Sequence, residues 1–114
     1  PDNRRIGVPM AGPFTEAVCI LLKSVPPGFV VTYGSLAAAA GSPRGARQVV
    51  RILHSQSRLQ NLPWHRVVAS GGRIALNDPE GADLQRRLLL SEGVEIGIGG
   101  MVNMDRHEWD FNSN

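Results

Sequence analysis

The segment Pro63–Val68, P-W-H-R-V-V, combines a histidine that could do acid–base chemistry with a large aromatic ring. His65 could act as a general base, because an imidazole takes up and releases a proton near neutral pH. The residue before it, Trp64, offers an indole N–H donor but no lone pair that a base could free for nucleophilic attack. The segment therefore places a base beside a ring that cannot serve as its nucleophile.

Glu92 is a second residue of interest, because it ends a helical segment just before Gly93. The helix dipole disfavours a carboxylate at a C-terminus by about 0.3–1 kcal/mol, so a glutamate at this place suggests a partner. His65 is the partner that we expect, and an exposed terminal glutamate is the alternative. Arg66 is expected to be structural, pairing within the fold.

Cysteine and histidine usage argues against a metal enzyme. Cys19 is the only cysteine, so the chain has no internal disulfide and no Cys-rich zinc site. The histidines also lack the spacing of metal ligands. Cys19 falls in a predicted amphipathic helix with no histidine near it in sequence, so we expect a core or boundary residue rather than a nucleophile. No metal and no cofactor are expected.

Positive charge is concentrated in residues 17–77, a window without any Asp or Glu. Its seven cations are Lys23, Arg44, Arg47, Arg51, Arg58, Arg66 and Arg73. Since the whole chain has a formal net charge of only +2, this asymmetry predicts a surface for a polyanion. A solvated basic face is the alternative interpretation.

A length of 114 residues suits one domain with one core. Residues 1–12 are predicted to form a flexible N-terminal arm, followed by a single domain over residues 13–114. No apolar run approaches the roughly 20 residues of a membrane span, and the N-terminus has no signal-peptide pattern. We therefore expect a soluble, cytoplasmic protein without a membrane partner.

Two helices are predicted before the first strongly basic stretch. Apolar residues at helical spacing indicate a helix over residues 14–25. The chain then turns at a Pro-Pro-Gly sequence. Thr32 is a suitable N-cap for a short second helix over residues 33–40, which Gly41 ends.

A third predicted helix, from residue 44 to about residue 56, has two different faces. Ser42 is expected to cap it, with Pro43 at the first helical position, where its missing N–H costs nothing. One face is apolar, and another carries cations three and four residues apart, namely Arg44, Arg47 and Arg51. A short helix, a glycine-containing turn and a helix with a basic face form the helix-turn-helix pattern.

A small β-hairpin is predicted after this helix, where a wing would follow a helix-turn-helix. Its strands are residues 67–69 and 73–75, joined by Ser70-Gly71-Gly72. Residues 78–81 are predicted to be a loop, and residues 82–92 a last helix. The expected fold is a mainly α, winged-helix-like DNA-binding domain with a helix-turn-helix and a small β-hairpin.

Four motifs occur in order along residues 13–96, and together they resemble one family. They are T-Y-G at 32–34, S-P-R-G-A-R at 42–47, P-W-H-R-V-V at 63–68 and L-L-x-S-E-G at 88–93. This combination resembles the DNA-binding domain of the O(6)-alkylguanine-DNA alkyltransferases. In those repair proteins, a Pro-Cys-His-Arg-Val motif supplies the cysteine that takes the alkyl group, and Trp64 occupies that place here.

The tryptophan, in a chain expected to lack the repair proteins' extra N-terminal domain, resembles the alkyltransferase-like proteins. Those proteins bind alkylated guanine in DNA without removing the alkyl group. The resemblance implies that His65 and Glu92 are vestiges of the catalytic network, in which Gln56 replaces an asparagine. It therefore implies that no residue of this chain is catalytic.

The resemblance also implies that the protein binds the minor groove and extrudes the damaged nucleotide from the duplex. Arg47 matches the finger residue that inserts into the base stack, and Tyr33 matches the residue that pushes on the phosphate of the target nucleotide. Further DNA-binding residues are expected at helix starts, on the basic helix and in the hairpin: Thr15, Gly34, Ser42, Gly45, Ala46, Arg51 and Ser70. The extruded base would lie in a lesion pocket formed by Tyr33, Trp64, Val67, Val68 and Arg73.

Among these residues, Gly45 and Ala46 are expected to be small enough for the backbone to approach phosphates closely. The implied partner is double-stranded DNA containing O(6)-alkylguanine, bound by a monomer that flags the lesion for nucleotide excision repair proteins. Two alternatives stay open. One is a residual alkyltransferase or hydrolase that uses His65 and Glu92 with water. The other is a sequence-specific regulator that inserts its basic helix into the major groove.

Overall fold

Helices dominate residues 12–112, the part of the chain that the computed structural model describes. In chain order the elements are α1 Pro13–Lys23, β1 Val31–Thr32, α2 Tyr33–Ala39, α3 Ala46–Gln60, β2 Val67–Val68, α4 Pro79–Ser91, β3 Ile96–Gly97, β4 Met101–Val102 and α5 Met104–His107. The predicted mainly α fold class is confirmed. Most of the predicted N-terminal arm lies outside the described residues, and Gly12, its last residue, is the N-cap of α1.

The short helix α2 begins where the sequence predicts. The Thr32 hydroxyl accepts the Ser35 backbone N–H at 3.0 Å, and the Ser35 hydroxyl accepts the Thr32 backbone N–H at 3.1 Å. This reciprocal pair is a capping box, which satisfies two donors that a helix start leaves unpaired. The start of α2 is therefore determined locally, by residues three positions apart.

The basic helix α3 begins later and ends later than predicted. The residues from Ser42 to Gly45 form a turn, in which the Gly45 N–H donates to the Ser42 carbonyl at 2.9 Å. The helix then runs from Ala46 to Gln60, so the prediction of Ser42 as its N-cap was wrong. This turn takes up the residues that were expected to start the helix, and it leaves room for α1, since a Cβ on Gly45 would lie 3.0 Å from Phe14 Cζ. The turn thus packs against the first turn of α1.

The hairpin predicted over residues 67–75 is largely replaced by a parallel pairing. Val67 and Val68 form β2, which pairs with β1 in the register Val31–Val67 and Thr32–Val68. Of the predicted hairpin, a single bridge between Ala69 and Arg73 remains. Two consecutive apolar residues that are both buried are typical of a parallel pair covered on both faces. An antiparallel hairpin does occur later in the chain, between β3 and β4.

The helix α4 includes residues that were expected to form a loop. It begins at Pro79, and the Asp78 carboxylate caps it by accepting the Glu80 N–H at 3.2 Å. Asp at the N-cap and Pro at the first helical position are both standard start signals, which the sequence carries at this place. The helix ends at Ser91 with Glu92 as its C-cap, close to the predicted end.

The buried apolar residues form two clusters on either side of the β1–β2 pair. The first joins α1, α2 and α3 and contains Cys19, which is 3% exposed, as expected for a core residue. The second joins the strands to α4 and includes Val68 and Leu89. In residues 12–112 no helix is long and apolar enough to cross a membrane.

Candidate nucleic-acid interface

An ion-pair cluster holds the turn that presents Trp64. Residues Trp64–Arg66 form one turn of 3₁₀-helix, and the two side chains after the tryptophan both contact Glu92. His65 Nε2 lies 2.8 Å from Glu92 Oε2, as the sequence predicts. Arg66 forms a two-pronged contact with the same carboxylate, Nε to Oε1 at 3.0 Å and Nη2 to Oε2 at 2.6 Å. Its remaining Nη1 donates to the Val25 carbonyl at 2.9 Å, which confirms its structural role.

Glu92 is ionised at neutral pH, and this determines which ring nitrogen of His65 carries a hydrogen towards it. Burial by itself raises the pKa of the carboxyl, but hydrogen bonds from Arg66, His65 and the Gly28 N–H, with the charge of His65, lower it to about 2. An ionised carboxylate can only accept hydrogen bonds. Nε2 of His65 therefore carries the hydrogen of the 2.8 Å contact. The imidazole is oriented by the carboxylate, and Trp64 lies against it edge-on, with ring centroids 6.2 Å apart.

Gln85 is a positioning residue that the sequence did not single out. It is 2% exposed, and its Nε2 donates to the carbonyls of His65 at 3.1 Å and Val67 at 2.8 Å. A buried carbonyl without a donor costs about 1–3 kcal/mol, so this amide stabilises the turn after Trp64 in one conformation. The sequence signal that could have identified Gln85 is a polar residue on the apolar face of α4.

An open cavity of about 880 Å³ brings together two residues of the predicted lesion pocket, Tyr33 and Trp64. Its other walls come from α3 between Val50 and Leu59, from Asn61 and Leu62, and from the segment 76–81. Burial raises the pKa of the Tyr33 phenol, so its hydroxyl is neutral at physiological pH and can donate a hydrogen bond. The sequence did not indicate the α3 wall, since its residues become neighbours of Trp64 only through folding.

Three other predicted pocket residues lie outside the lining of this cavity. Val67 and Val68 are each 1% exposed, because their strand is covered on both faces. Their side chains belong to the two buried clusters rather than to the wall of this cavity. Arg73 is exposed, and its backbone forms bridges with Ala69 and Met101, away from the cavity.

The predicted finger residue Arg47 is exposed in the first turn of α3. Val50, which lines the cavity, is three residues further on, so both side chains lie on one side of the helix. Arg51 is exposed one turn after Arg47. Within residues 12–112, neither of these two arginines forms an ion pair with a carboxylate. Both charges are therefore available to a polyanion.

The other predicted DNA-binding residues are divided between the surface and the interior. Thr15 is partly exposed in the first turn of α1, beside the turn that precedes α3, so the two helix N-termini are neighbours. Ser70 is exposed, and three further residues are partly exposed: Gly34, Ser42 and Ala46. Gly45 is buried, and its lack of a side chain makes room for Phe14.

The described residues contain neither a reactive thiol nor a cluster of metal ligands. Burial raises the pKa of the Cys19 thiol despite the opposing effect of Lys23, so the thiol remains protonated in the core. A protonated thiol is a poor nucleophile. No group of three or more His, Cys, Asp and Glu residues between positions 12 and 112 could hold a metal ion.

Comparison with known proteins identifies the family of this arrangement. Residues 13–94 match the family described as 6-O-methylguanine DNA methyltransferase, DNA binding domain. A DNA base-flipping protein of Escherichia coli K12 is 41% identical over 98 residues, covering 86% of this chain and 75% of the relative. Alkyltransferase-like protein 1 of Schizosaccharomyces pombe is 40% identical over 82 residues, covering 71% of this chain and 72% of the relative.

The fold is also that of a solved complex. The crystal structure of S. pombe Atl1 with damaged DNA containing O6-carboxymethylguanine matches with a TM-score of 0.76 and 34% identity. The match covers 85% of this chain and 94% of the other. A family match over most of the chain, relatives at about 40% identity and this structural similarity agree. The chain belongs to the family of the 6-O-methylguanine DNA methyltransferase DNA-binding domain.

Proposed function

We propose that this protein recognises O(6)-alkylguanine in double-stranded DNA, by binding the minor groove and extruding the damaged nucleotide. The observation that carries the proposal is that Tyr33 and Trp64 share one cavity, which the basic helix α3 also lines. The cavity, about 880 Å³, lies within the roughly 300–1,000 Å³ typical of small-molecule sites, so a base and its substituent fit. The relatives named for base flipping support the same function.

Each step of the recognition can be attributed to particular residues. Arg47 inserts into the space that the base leaves, and Arg51 and the neighbouring starts of α1 and α3 bind phosphates through charge and free backbone N–H groups. The neutral Tyr33 hydroxyl donates to the phosphate of the extruded nucleotide. The indole of Trp64 then contacts the plane or edge of the alkylated base, an interaction that any π-face permits.

We further propose that the protein is not an enzyme. Alkyl transfer requires a nucleophile beside the general base, and an indole occupies that place next to His65. The single thiol is buried in another part of the core. A protein that holds a lesion without repairing it needs another activity to remove the lesion. We therefore propose that, as a monomer on DNA, it flags the lesion for nucleotide excision repair proteins.

The decisive experiment is a binding titration on two duplexes that differ only in guanine or O(6)-methylguanine at one position. We expect about 5- to 150-fold tighter binding to the alkylated duplex, since one specific base contact contributes about 1–3 kcal/mol. Both titrations are done at one salt concentration, because phosphate contacts make affinity salt-dependent. Equal affinities, or a preference for one undamaged sequence, would contradict the proposal and favour a regulator.

Replacing Arg47 by alanine tests the finger assignment. We expect binding to the alkylated duplex to weaken by about 1–2 kcal/mol, while binding to plain DNA changes less, because only the extruded state has a gap to fill. Arg51→Ala is the matched control on the same helix. As a phosphate contact, it should weaken binding to both duplexes by the same factor. Identical behaviour of the two variants would show that Arg47 is no more than a phosphate contact.

A further inference from the structure

One wall of the cavity is polar, and it is formed by the last turns of α3. His54, Ser57 and Arg58 line the cavity and are spaced at i, i+3 and i+4, so they share one face of the helix. Trp64 and Leu62 provide apolar lining in the same cavity. A group that extends from a base stacked on the indole would therefore meet polar side chains.

The side chains of Ser57 and Arg58 have no partner within residues 12–112. The Ser57 hydroxyl is buried and makes no hydrogen bond there, although leaving a buried polar group unsatisfied is unfavourable. Arg58 is exposed and forms no ion pair with a described carboxylate. A buried hydroxyl without a partner, next in sequence to an arginine that lines the same cavity, indicates a polar ligand group that would satisfy it.

The acid in the same cavity does not neutralise the arginine. Asp78 lines the cavity and is the N-cap of α4, where its Oδ1 accepts the Glu80 N–H at 3.2 Å. Its negative charge is therefore stabilised by the N-terminus of α4, where the helix dipole favours an anion. Arg58 lines the cavity and forms no ion pair with a carboxylate of residues 12–112.

We propose that Arg58, with the Ser57 hydroxyl, forms an anion subsite that selects O(6)-alkyl groups ending in a carboxylate. This inference rests on the proposed function. A DNA phosphate is the other possible anion, but Arg58 is eleven residues after Arg47, or about 16 Å further along the helix axis. That places Arg58 at the cavity rather than among the cations that accompany the helix start.

The experiment compares four duplexes with guanine, O(6)-methylguanine, O(6)-carboxymethylguanine or the neutral carboxamide analogue of the last, which has the same size. The readout is the affinity ratio of carboxylate to carboxamide, which removes differences in general DNA binding. For the unchanged protein we expect a ratio of about five to ten, since a charge-assisted hydrogen bond exceeds a neutral one. Arg58→Gln should lower this ratio to about one.

Arg44→Gln is the matched control, because Arg44 is an exposed arginine before the start of α3. It should weaken binding to all four duplexes and leave the ratio unchanged. A ratio that persists in Arg58→Gln overturns the subsite, as does an equal loss on all four duplexes, which would identify a phosphate contact. A ratio of one in the unchanged protein, with normal preference for methylated over plain guanine, overturns the subsite alone. Loss of that preference contradicts the proposed function itself.

Discussion

Trp64→Ala is expected to leave the protein folded while lowering its preference for alkylated guanine by about 1–3 kcal/mol, up to roughly 100-fold in Kd. The indole lines the cavity and packs edge-on against His65 without belonging to either buried cluster. Its loss therefore removes a stacking surface rather than a core side chain. The measurement is the ratio of dissociation constants for O(6)-methylguanine and guanine duplexes.

Trp64→Phe is the matched control, because a smaller aromatic ring retains a π-face for stacking. We expect it to preserve most of the preference that Trp64→Ala loses. If Trp64→Ala keeps the full preference, Trp64 is only a packing residue. If Trp64→Ala instead loses plain DNA binding equally, the ring supports the fold of the interface as a whole.

Trp64→Cys tests the absence of transfer chemistry in the same position. The variant restores the Pro-Cys-His-Arg-Val order, with His65 held by Glu92 at 2.8 Å. We nevertheless expect little or no alkyl transfer. Gln56 replaces an asparagine of the repair enzymes, and its side-chain oxygen is occupied by Gln60 at 2.8 Å. A misplacement of about 1 Å can reduce a rate about a hundredfold. Stoichiometric self-alkylation, detected by mass spectrometry, would contradict this expectation and show that the residues around position 64 still align a thiolate with the alkyl group.

Glu92→Gln should lower the free energy of unfolding at neutral pH by about 2–3 kcal/mol. The carboxylate is 15% exposed, and its loss leaves the guanidinium of Arg66, 14% exposed, without its counter-charge. Because the folded pKa of Glu92 is about 2, below its usual 4.5, its contribution is present above about pH 4.5. It is lost as the pH falls towards 2. Urea unfolding at several pH values should show the variant and the unchanged protein converging in acid.

Glu95→Gln is the control for this effect. Glu95 and Arg106 form a single contact at 3.4 Å with side chains that are 55% and 68% exposed. Exposed pairs contribute about 0–1 kcal/mol, so this variant should change stability little at any pH. A constant difference between Glu92→Gln and the unchanged protein from pH 7 to pH 2 would show that the carboxylate acts by packing rather than by charge.

Much of the local structure could be predicted from neighbouring residues. The start of α2 depends on a capping box between Thr32 and Ser35, three positions apart. The start of α4 was also encoded locally, by Asp78 and Pro79, although the sequence interpretation placed a loop there. The inability of Trp64 to act as a nucleophile follows from its side chain in any fold. These features need no contact between distant parts of the chain.

Contacts between residues that are far apart in sequence were decided by the tertiary structure. Val67 and Val68 pair with a strand 36 residues earlier in the chain, at Val31 and Thr32, rather than with the neighbouring segment 73–75, because that pairing buries both valines. Glu92 binds the side chains of both Arg66 and His65, because α4 ends beside the turn that carries these two residues. The wall of the cavity formed by the end of α3 also depends on how that helix packs, which local sequence patterns do not determine.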